Sequence, residues 1–388
     1  MRDSKRKIKV IRTSTIPHSL NTLLKGQLKF LNQYFEVIAV SGAHPKLFEL
    51  TEREGVRVND ISMNRKISLI NDIKSLFRLY VFFKKEKPII VHSITPKAGL
   101  LSMLAAKFAG VPVRMHTFTG LIFPTAKGNK KKLLIEMDRL LCWAATNIYP
   151  EGNGVKNDLI SYKITNKPLH VIANGNVNGI DIDYYSLDNF SNEKAEQLKN
   201  NLGLKKEDFI YIFVGRLVKD KGINELIESF KQLNDKNIKL LLVGSFDNNI
   251  DPINPETIQE INNNKNILYQ GYQKDIRPYL AISNALVFPS YREGFPNVVM
   301  QAGAMELPAI VTDINGSNEI IQTGNNGIII PSKNINRLRD AMKELKNNKE
   351  LYQLLKSNSR PMIKNRYQQN VVWEALLEEY NKNIKNSI

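Results

Sequence analysis

Short apolar runs alternate along the chain with longer segments in which apolar positions recur every three or four residues. The short runs predict strands buried on both faces, and the longer segments predict amphipathic helices. In the first half, strands are predicted at residues 7–11, 35–40, 89–93, 113–117, 147–149 and 169–172. Helices are predicted between them at 20–32, 67–85 and 97–109. This β-α alternation predicts a parallel sheet covered by helices.

The same pattern restarts in the second half of the chain. Strands are predicted there at 209–214, 239–243, 267–269, 285–289, 309–312 and 327–330, with helices at 222–234 and 297–305. The fold class is therefore α/β, with two doubly wound Rossmann-like domains that we expect to face each other across a cleft. We expect the domains at 1–185 and 186–365, and a separate C-terminal helix, 366–388, that packs back toward the first domain.

Length and cysteine content limit the interpretation further. The chain has 388 residues, and single cores rarely exceed roughly 250–300 residues, which favours two domains. Cys142 is the only cysteine, so an internal disulfide is excluded and a buried thiol is expected. No apolar run reaches the roughly 18 residues that span a bilayer. We expect a cytoplasmic protein.

The net charge of +17 is unevenly distributed. Residues 1–190 hold 29 Lys and Arg against 15 Asp and Glu, a balance of +14, whereas residues 191–388 contribute only +3. A basic surface favours phosphates, nucleic acid or anionic lipid. Lysines that only keep the surface solvated remain an alternative.

Gly215, Arg216 and Lys221 form the first candidate site, in a loop that follows the strand at 209–214 and opens a helix. Gly215 permits a tight turn. Arg216 and Lys221 are placed to reach one anion, such as a nucleotide diphosphate, with roughly 1.5–3 kcal/mol from each charge-assisted hydrogen bond. Two solvated cations at a helix end are the alternative.

The second candidate site begins at Glu293-Gly294, which follows the strand at 285–289. Gly294 lets the backbone approach a ligand closely. The free amides of Asn297 and Val298 begin the next helix, and helix N-termini attract phosphate. Glu293 as an ordinary acid of the first helical turn is the alternative.

Together the two segments resemble the donor site of the family 4 retaining glycosyltransferases, which have the GT-B fold. Gly215-Arg216-Leu217 with Lys221-Gly222 matches the first motif of that family, and Glu293-Gly294-Phe295-Pro296 matches the second. Residues 94–101 (ITPKAGLL) resemble a segment of bacterial members that build surface polysaccharides, and residues 169–181 resemble the turn before the hinge. The resemblance covers nearly the whole chain.

The resemblance implies a metal-independent hexosyl- or N-acetylhexosaminyltransferase that uses a UDP-sugar and no cofactor. It implies catalytic roles for Arg216 and Lys221, which hold the diphosphate, and for Glu293, which binds sugar hydroxyls. His116 is a further catalytic candidate. The implied donor-binding residues are Gly215, Gly244, Tyr272, Gln273, Gly294, Phe295, Pro296, Asn297, Val298 and Gln301.

The chain departs from the family pattern at two positions. Gln301 stands where the family has a second acid that holds the ribose, although an amide can both accept and donate a hydrogen bond there. Thr119 stands where many members have a histidine before Gly120, and His116 lies three residues earlier. The general base therefore stays unassigned.

For the acceptor we expect a polyprenyl-diphosphate-linked glycan, in capsule- or lipopolysaccharide-type biosynthesis. The acceptor-side candidates are Thr95, Lys97, Thr119 and Asn174. The apolar residues 121–124 followed by Lys127 and Lys130–Lys132 favour peripheral contact with an anionic membrane at its inner face. A loop with solvated lysines is the alternative.

Other functions are kept open on the residues alone. A UDP-sugar epimerase of similar build would need no acceptor. A basic nucleic-acid-binding protein is disfavoured because no recognised module or aromatic-basic interleaving is present. A dehydrogenase is disfavoured because no G-x-G-x-x-G follows an early strand. Asp181-Ile182-Asp183 has the D-x-D pattern of some metal-dependent transferases, but the tripeptide is common, and we expect no metal site.

Overall fold

The computed structural model describes residues 7–63, 68–247 and 251–387, and the described chain divides into two compact units. The first unit is Met1–Gly179 with Gln369–Ile388, and the second is Ile180–Gln368. The divisions at 179/180 and 368/369 lie near the boundaries at 185/186 and 365/366 expected from the sequence. Residue 67, at the start of one predicted helix, is outside the described residues.

The first unit contains a six-stranded parallel sheet of order β3-β2-β1-β4-β5-β6. Its strands are β1 Lys9–Thr13, β2 Glu36–Ser41, β3 Arg57–Asp60, β4 Ile90–Ile94, β5 Val113–Phe118 and β6 Asn147–Pro150. Its helices are α1 Pro17–Leu23, α2 Gln27–Asn32, α3 Pro45–Glu54, α4 Leu69–Glu86, α5 Pro96–Ala109, α6 Gly128–Ala144 and α7 Asn153–Ser161. Successive strands are added toward one edge of the sheet from β1 to β3 and toward the other edge from β4 to β6, so the strand order reverses between the parallel neighbours β1 and β4.

The second unit repeats this arrangement, with strand order β12-β11-β10-β7-β8-β9. Its strands are β7 Phe209–Val214, β8 Ile238–Val243, β9 Ile267–Tyr269, β10 Ala285–Phe288, β11 Ala309–Thr312 and β12 Gly327–Ile330. Its helices are α8 Asn192–Asn201, α9 Ile223–Lys231, α10 Pro255–Asn263, α11 Arg277–Ala281, α12 Asn297–Ala304, α13 Ser317–Ile320, α14 Ile335–Asn347 and α15 Lys349–Tyr367. Here the reversal lies between β7 and β10.

The apolar strands are buried on both faces, as their composition predicts. β7 and β8 consist almost entirely of apolar residues, and they belong to one core cluster with the inner faces of α9, α12 and α14. Parallel sheets of this kind need helices that cover both faces, and the helices of this unit provide that cover. The predicted α/β class with two doubly wound sheets is confirmed.

In the first half, one strand was not predicted and one predicted strand was wrong. β3 was missed because it is an edge strand of sequence RVND with no buried residue, so it has no apolar pattern. The strand predicted at 169–172 is absent from the described chain, where only Leu169 forms a single bridge, with Ile148. Pro168 precedes that bridge and has no amide to donate to a ladder.

The last helix, α16 Gln369–Lys385, belongs to the first unit. Leu376 and Tyr380 are buried in a core cluster with Val10 of β1 and Phe35. The Tyr380 hydroxyl lies 2.8 Å from Nη1 of Arg12 and 2.7 Å from Nδ1 of His92, on β1 and β4. The end of the chain therefore completes the core of the unit with which the chain begins.

Candidate active site

The two motifs of the second half follow neighbouring strands at the reversal point of the second sheet. Gly215 directly follows β7, and residues 289–296 connect β10 to α12. Ligands of doubly wound sheets bind beyond the carboxyl ends of strands at such a reversal. The sequence motifs therefore meet at the place where this fold binds ligands.

Close backbone contacts hold these loops in place. A Cβ atom on Gly244, which follows β8, would lie 1.8 Å from the carbonyl oxygen of Gly215. A Cβ atom on Gly222 would lie 2.1 Å from the carbonyl oxygen of Pro289, and Gly222 has a φ of +71°. No other residue type fits either distance, so both glycines are required by packing as well as by backbone conformation.

Lys221 joins the two motifs. Its Nζ donates a hydrogen bond to Oε1 of Glu293, and both side chains are mostly buried. Arg216 is half exposed, and its Nη1 lies 3.1 Å from Oδ2 of Asp247. Each candidate phosphate-binding cation thus has a carboxylate partner in the described chain. A diphosphate bound here would have to compete with these carboxylates for the two cations.

The turn after Glu293 is held from two sides. A Cβ atom on Gly316 would lie 2.3 Å from the carbonyl oxygen of Gly294, and the ring centroid of Phe295 lies 5.5 Å from that of Tyr367. α12 begins at Asn297 after Pro296. The first turn of a helix carries positive potential from its backbone dipoles, and this favours an anion next to it.

The remaining donor-side candidates lie on the same edge of the second sheet. Val298 and Gln301 occupy the first and second turns of α12, and both are partly exposed. Tyr272 and Gln273 follow β9, and the Tyr272 side chain is exposed. The Gly244 amide donates to the Gly271 carbonyl at 2.8 Å, which links this loop to the loop after β8.

A separate cavity of about 350 Å³ lies at the reversal point of the first sheet. Residues that follow β1, β4 and β5 line it, together with residues of α5 and α6. The lining residues include Thr15, Thr95, Lys97, Phe118, Leu134 and Asp138. Most of its wall is apolar, with a few polar groups, which is typical of a small-molecule site.

Thr95 and Lys97, two of the acceptor-side candidates, both line this cavity. The Thr95 hydroxyl lies 2.8 Å from that of Thr15, which ties the loops after β4 and β1 together. Thr95 also has a φ of +71°, which is rare for a β-branched residue. Nζ of Lys97 lies 2.7 Å from both carboxylate oxygens of Asp72.

Asp138 on α6 was missed by the sequence analysis. It lines the cavity beside Leu134 and Met137, and burial raises the pKa of its carboxyl from 3.8 to about 7. Its helical spacing could have indicated this position. Asp138 is four residues from both Leu134 and Cys142 in an apolar stretch, so it lies on the same helix face as these apolar residues. A carboxyl with a pKa near neutrality in a cavity is a functional-site candidate.

His116 does not lie at a surface that a substrate can reach, so its assignment as a catalytic residue is corrected. The side chain is buried, Nδ1 lies 2.8 Å from the Ser93 hydroxyl, and Phe118 packs edge-on against the ring. Burial lowers the pKa of His116 to about 3. The helix α5 covers it at Gly99, where a Cβ atom would lie 2.4 Å from Cε1 of His116.

The other two acceptor-side candidates do not line the cavity. Thr119 lies between the lining residues Phe118 and Gly120, and Asn174 lies in an exposed part of the loop before residue 180. The apolar residues 121–124 face inward for the most part. Phe123 is fully buried, and Leu121 lines the cavity. Ile122 also lines the cavity, but its side chain is 46% exposed.

Within residues 7–63, 68–247 and 251–387, no group of three or more His, Cys, Asp or Glu side chains is placed to hold a metal ion. Asp181 of the D-x-D tripeptide accepts a hydrogen bond from the Tyr184 amide at 2.9 Å, so it stabilises a turn. Cys142 is buried, and burial raises the pKa of its thiol to about 12. None of the described helices is long and apolar enough to cross a membrane.

Family comparisons match both halves of the chain. Residues 194–362 match the family described as "Glycosyl transferases group 1", and residues 35–175 match the family described as "Glycosyl transferase 4-like domain". The match at 194–362 lies within the second structural unit, and the match at 35–175 lies within the first. Because both families are transferases, the comparisons do not favour the epimerase or the nucleic-acid-binding alternative.

Two curated relatives and one solved structure agree with these matches. The capsular polysaccharide biosynthesis glycosyltransferase CapM of Staphylococcus aureus is 32% identical over 383 residues, with 98% of each chain covered. An Escherichia coli UDP-Gal:alpha-D-GlcNAc-diphosphoundecaprenol alpha-1,3-galactosyltransferase is 30% identical over 306 residues, with 78% of this chain and 77% of the relative covered. Anabaena Alr3699/HepE in complex with UDP superposes with a TM-score of 0.82 over 97% of this chain and all of that chain, at 17% identity.

Proposed function

The chain belongs to the group 1 glycosyl transferases, and from that membership we propose that it transfers a hexose or an N-acetylhexosamine from a UDP-sugar to a polyprenyl-diphosphate-linked glycan. The transfer would serve the assembly of a capsule- or lipopolysaccharide-type polysaccharide. The names of the two relatives support these substrate classes, since one states capsular polysaccharide biosynthesis and the other a UDP-sugar donor with a diphosphoundecaprenol acceptor. We propose no further cofactor.

The donor diphosphate is proposed to bind between Lys221 and the turn at 293–298. The observation that supports this is the hydrogen bond from Lys221 to Glu293, because it joins two loops that are 72 residues apart at the ligand-binding edge of the sheet. On binding, Lys221 and Arg216 would exchange their carboxylate partners for phosphate oxygens. Glu293, released from Lys221, would accept hydrogen bonds from donor-sugar hydroxyls.

The reaction breaks the bond between the anomeric carbon and the β-phosphate oxygen. Negative charge then develops on the departing UDP, and Lys221, Arg216 and the first amides of α12 supply positive potential at that position. The acceptor hydroxyl oxygen forms the new bond on the same face of the sugar, and its proton passes to the departing phosphate oxygen. The anomeric configuration is retained.

The remaining donor-side roles follow from position. Gln301 in the second turn of α12 is proposed to bind the ribose hydroxyls, and Tyr272 and Gln273 to lie along the base. On the acceptor side, the cavity lined by Thr95, Lys97 and Asp138 is proposed to hold part of the acceptor. Since a polyprenyl diphosphate resides in a bilayer, the proposal includes peripheral contact with an anionic membrane at its inner face.

The test is transfer from a panel of UDP-sugars to a short-chain polyprenyl-diphosphate sugar, with the product detected by mass spectrometry. Lys221→Ala and Arg216→Ala should each lower kcat by about 100-fold or more, as expected for groups that stabilise developing charge. Lys219→Ala is the matched control, because Lys219 is an exposed cation of the same turn. It should stay within about threefold, since it removes the same charge from outside the site.

Two results would overturn the proposal. Full activity in both Lys221→Ala and Arg216→Ala would mean that the donor does not bind at this edge of the sheet. Interconversion of free UDP-sugars without any acceptor would identify an epimerase.

A further inference from the structure

Helix α4 exposes a continuous stripe of large apolar side chains. Leu69, Ile73, Phe77 and Val81 repeat every four residues, and Ile70 lies beside them. Their side chains are 47 to 76% exposed. At 1.5 Å per residue the stripe is about 18 Å long. A contiguous apolar surface of this size on a helix marks an interaction site, whereas single exposed apolar residues do not.

The stripe is not a by-product of packing. α4 buries a different face, formed by Ser75, Leu79 and Phe83, against the core of the first unit. Because these positions are also spaced by four residues, the helix has two apolar faces, of which the protein covers one. The hydroxyl of Ser75 donates to the carbonyl of Ser62 at 2.6 Å, which fixes the rotation of the helix.

A row of exposed cations borders the stripe. Lys74, Arg78 and Lys85 lie along one edge of the helix, next to the apolar positions, and Lys84 lies near its C-terminal end. An apolar face bordered by Lys and Arg is the signature of a helix that lies in the interface of an anionic membrane. The excess of +14 in residues 1–190 adds long-range attraction to such a surface.

The N-terminal turn of α4 adjoins the cavity of the first sheet. Asp72, in that turn, forms the ion pair with Lys97, and Lys97 lines the cavity with Thr95. Ile73, the second position of the stripe, is therefore adjacent in sequence to Asp72, whose carboxylate pairs with a residue of the cavity wall. A membrane in contact with the stripe would lie close to the cavity.

We propose that the α4 stripe inserts into the surface of an anionic phospholipid bilayer, with the basic row on lipid phosphates, and so holds the first-unit cavity at the membrane. Its role in presenting a lipid-linked acceptor rests on the proposed function, whereas the binding itself does not. A second copy of the chain fits less well. A two-fold contact through this stripe would bring the basic rows of both copies into one interface.

The test is flotation of the full chain with phosphatidylcholine vesicles, with and without phosphatidylglycerol, and no sugar substrate is needed. The wild type should bind the anionic vesicles and bind less as salt rises. Ile73→Glu/Phe77→Glu should lower the partition coefficient by about 100-fold, because two apolar anchors become anions near an anionic surface. Lys74→Ala/Arg78→Ala should lower it by about fivefold for each charge removed.

Phe48→Glu is the matched apolar control. Phe48 on α3 is 66% exposed, against 65% for Phe77. α3 buries Leu47 and Leu50 in the cluster on the opposite face of the first sheet from α4. Lys29→Ala/Lys46→Ala, on α2 and α3, is the matched charge control. Both controls should bind vesicles as the wild type does.

A second measurement does not depend on loss of binding. In Phe77→Trp, the emission of the new indole should shift to shorter wavelength when anionic vesicles are added, whereas Phe48→Trp should show no added shift. Each variant should unfold at the wild-type temperature, because the replaced side chains are exposed.

Equal binding by the α4 variants and the controls would overturn the inference. Vesicle binding that does not change with phosphatidylglycerol content or with salt concentration would also overturn it. A dimer in solution that Ile73→Glu/Phe77→Glu dissociates would assign the stripe to a second copy instead. Transfer to a short, water-soluble acceptor should survive in Ile73→Glu/Phe77→Glu. If no UDP-sugar is transferred by the wild type but vesicle binding behaves as described, the proposed function fails and this inference stands.

Discussion

Asp138 shows how one side chain acquires chemistry from its surroundings. On an exposed helix it would be an ordinary carboxylate. Here Leu134, Met137 and Phe118 share the cavity wall with it, and the nearby cation Lys97 is already paired with Asp72. Burial without a counter-charge disfavours the ionised form and raises the pKa of the carboxyl to about 7.

This shift predicts a pH-dependent stability. The folded chain holds the Asp138 proton more tightly than the unfolded chain, in which the pKa is about 3.9. The resulting stabilisation is complete below about pH 4 and is lost as the pH rises to about 7. The unfolding temperature of Asp138→Asn, measured relative to the wild type, should therefore increase over that range.

The thermal midpoints of both proteins measured across this range check the prediction, since contributions of other groups cancel in the difference. Glu136→Gln, an exposed carboxyl of the same helix, is the control. A difference between Asp138→Asn and the wild type that does not change with pH would contradict the buried position of Asp138.

At the scale of elements, α5 packs unusually close to the first sheet. It runs from Pro96 to Ala109, with Gly110 as its C-cap, and so agrees within one residue with the helix predicted at 97–109. No local pattern of residues indicated that Gly99, within the helix, lies directly over the ring of His116. This contact is the reason that a histidine considered for catalysis is a core residue instead.

Gly99→Ala should destabilise the first unit by about 1–3 kcal/mol, because the added methyl group overlaps His116 and Leu141. Urea unfolding measures the effect. The loss should be smaller when Gly99→Ala is made in a His116→Ala background, where the ring is absent. Equal losses in the two backgrounds would mean that the helix does not contact the ring in solution.

At the scale of the molecule, the chain returns to its first unit at the end. α16 supplies Leu376, Tyr380 and Ile384 to a core whose other buried members lie in the first half of the sequence. Leu376→Ala should cost about 2–5 kcal/mol in that unit, as is typical for a buried leucine. The exposed Glu378→Ala on the same helix should have little effect.

Hydrogen exchange followed by mass spectrometry distinguishes the two units. Leu376→Ala should speed amide exchange in β1, β2 and β4, and leave the strands of the second unit protected as in the wild type. Faster exchange in the second sheet alone would contradict the assignment of α16 to the first unit.

The sequence by itself determined the class of fold and the location of the candidate donor motifs. Periodicity is local, so apolar runs were enough to delimit parallel strands such as β7, β9 and β12. The motifs at 215–222 and 293–296 could be placed after particular strands for the same reason. β3 could not be predicted in this way, because an exposed edge strand needs no apolar side chains.

Only the tertiary structure decided which of these residues meet. Strand order brings Lys221 to Glu293 across 72 residues, and helix packing buries His116 and places Asp138 in a cavity. α4 was predicted as a helix, but which of its apolar faces is covered depends on its neighbours. Contacts between distant residues depend on how sheets and helices assemble, and no local pattern of residue types encodes that.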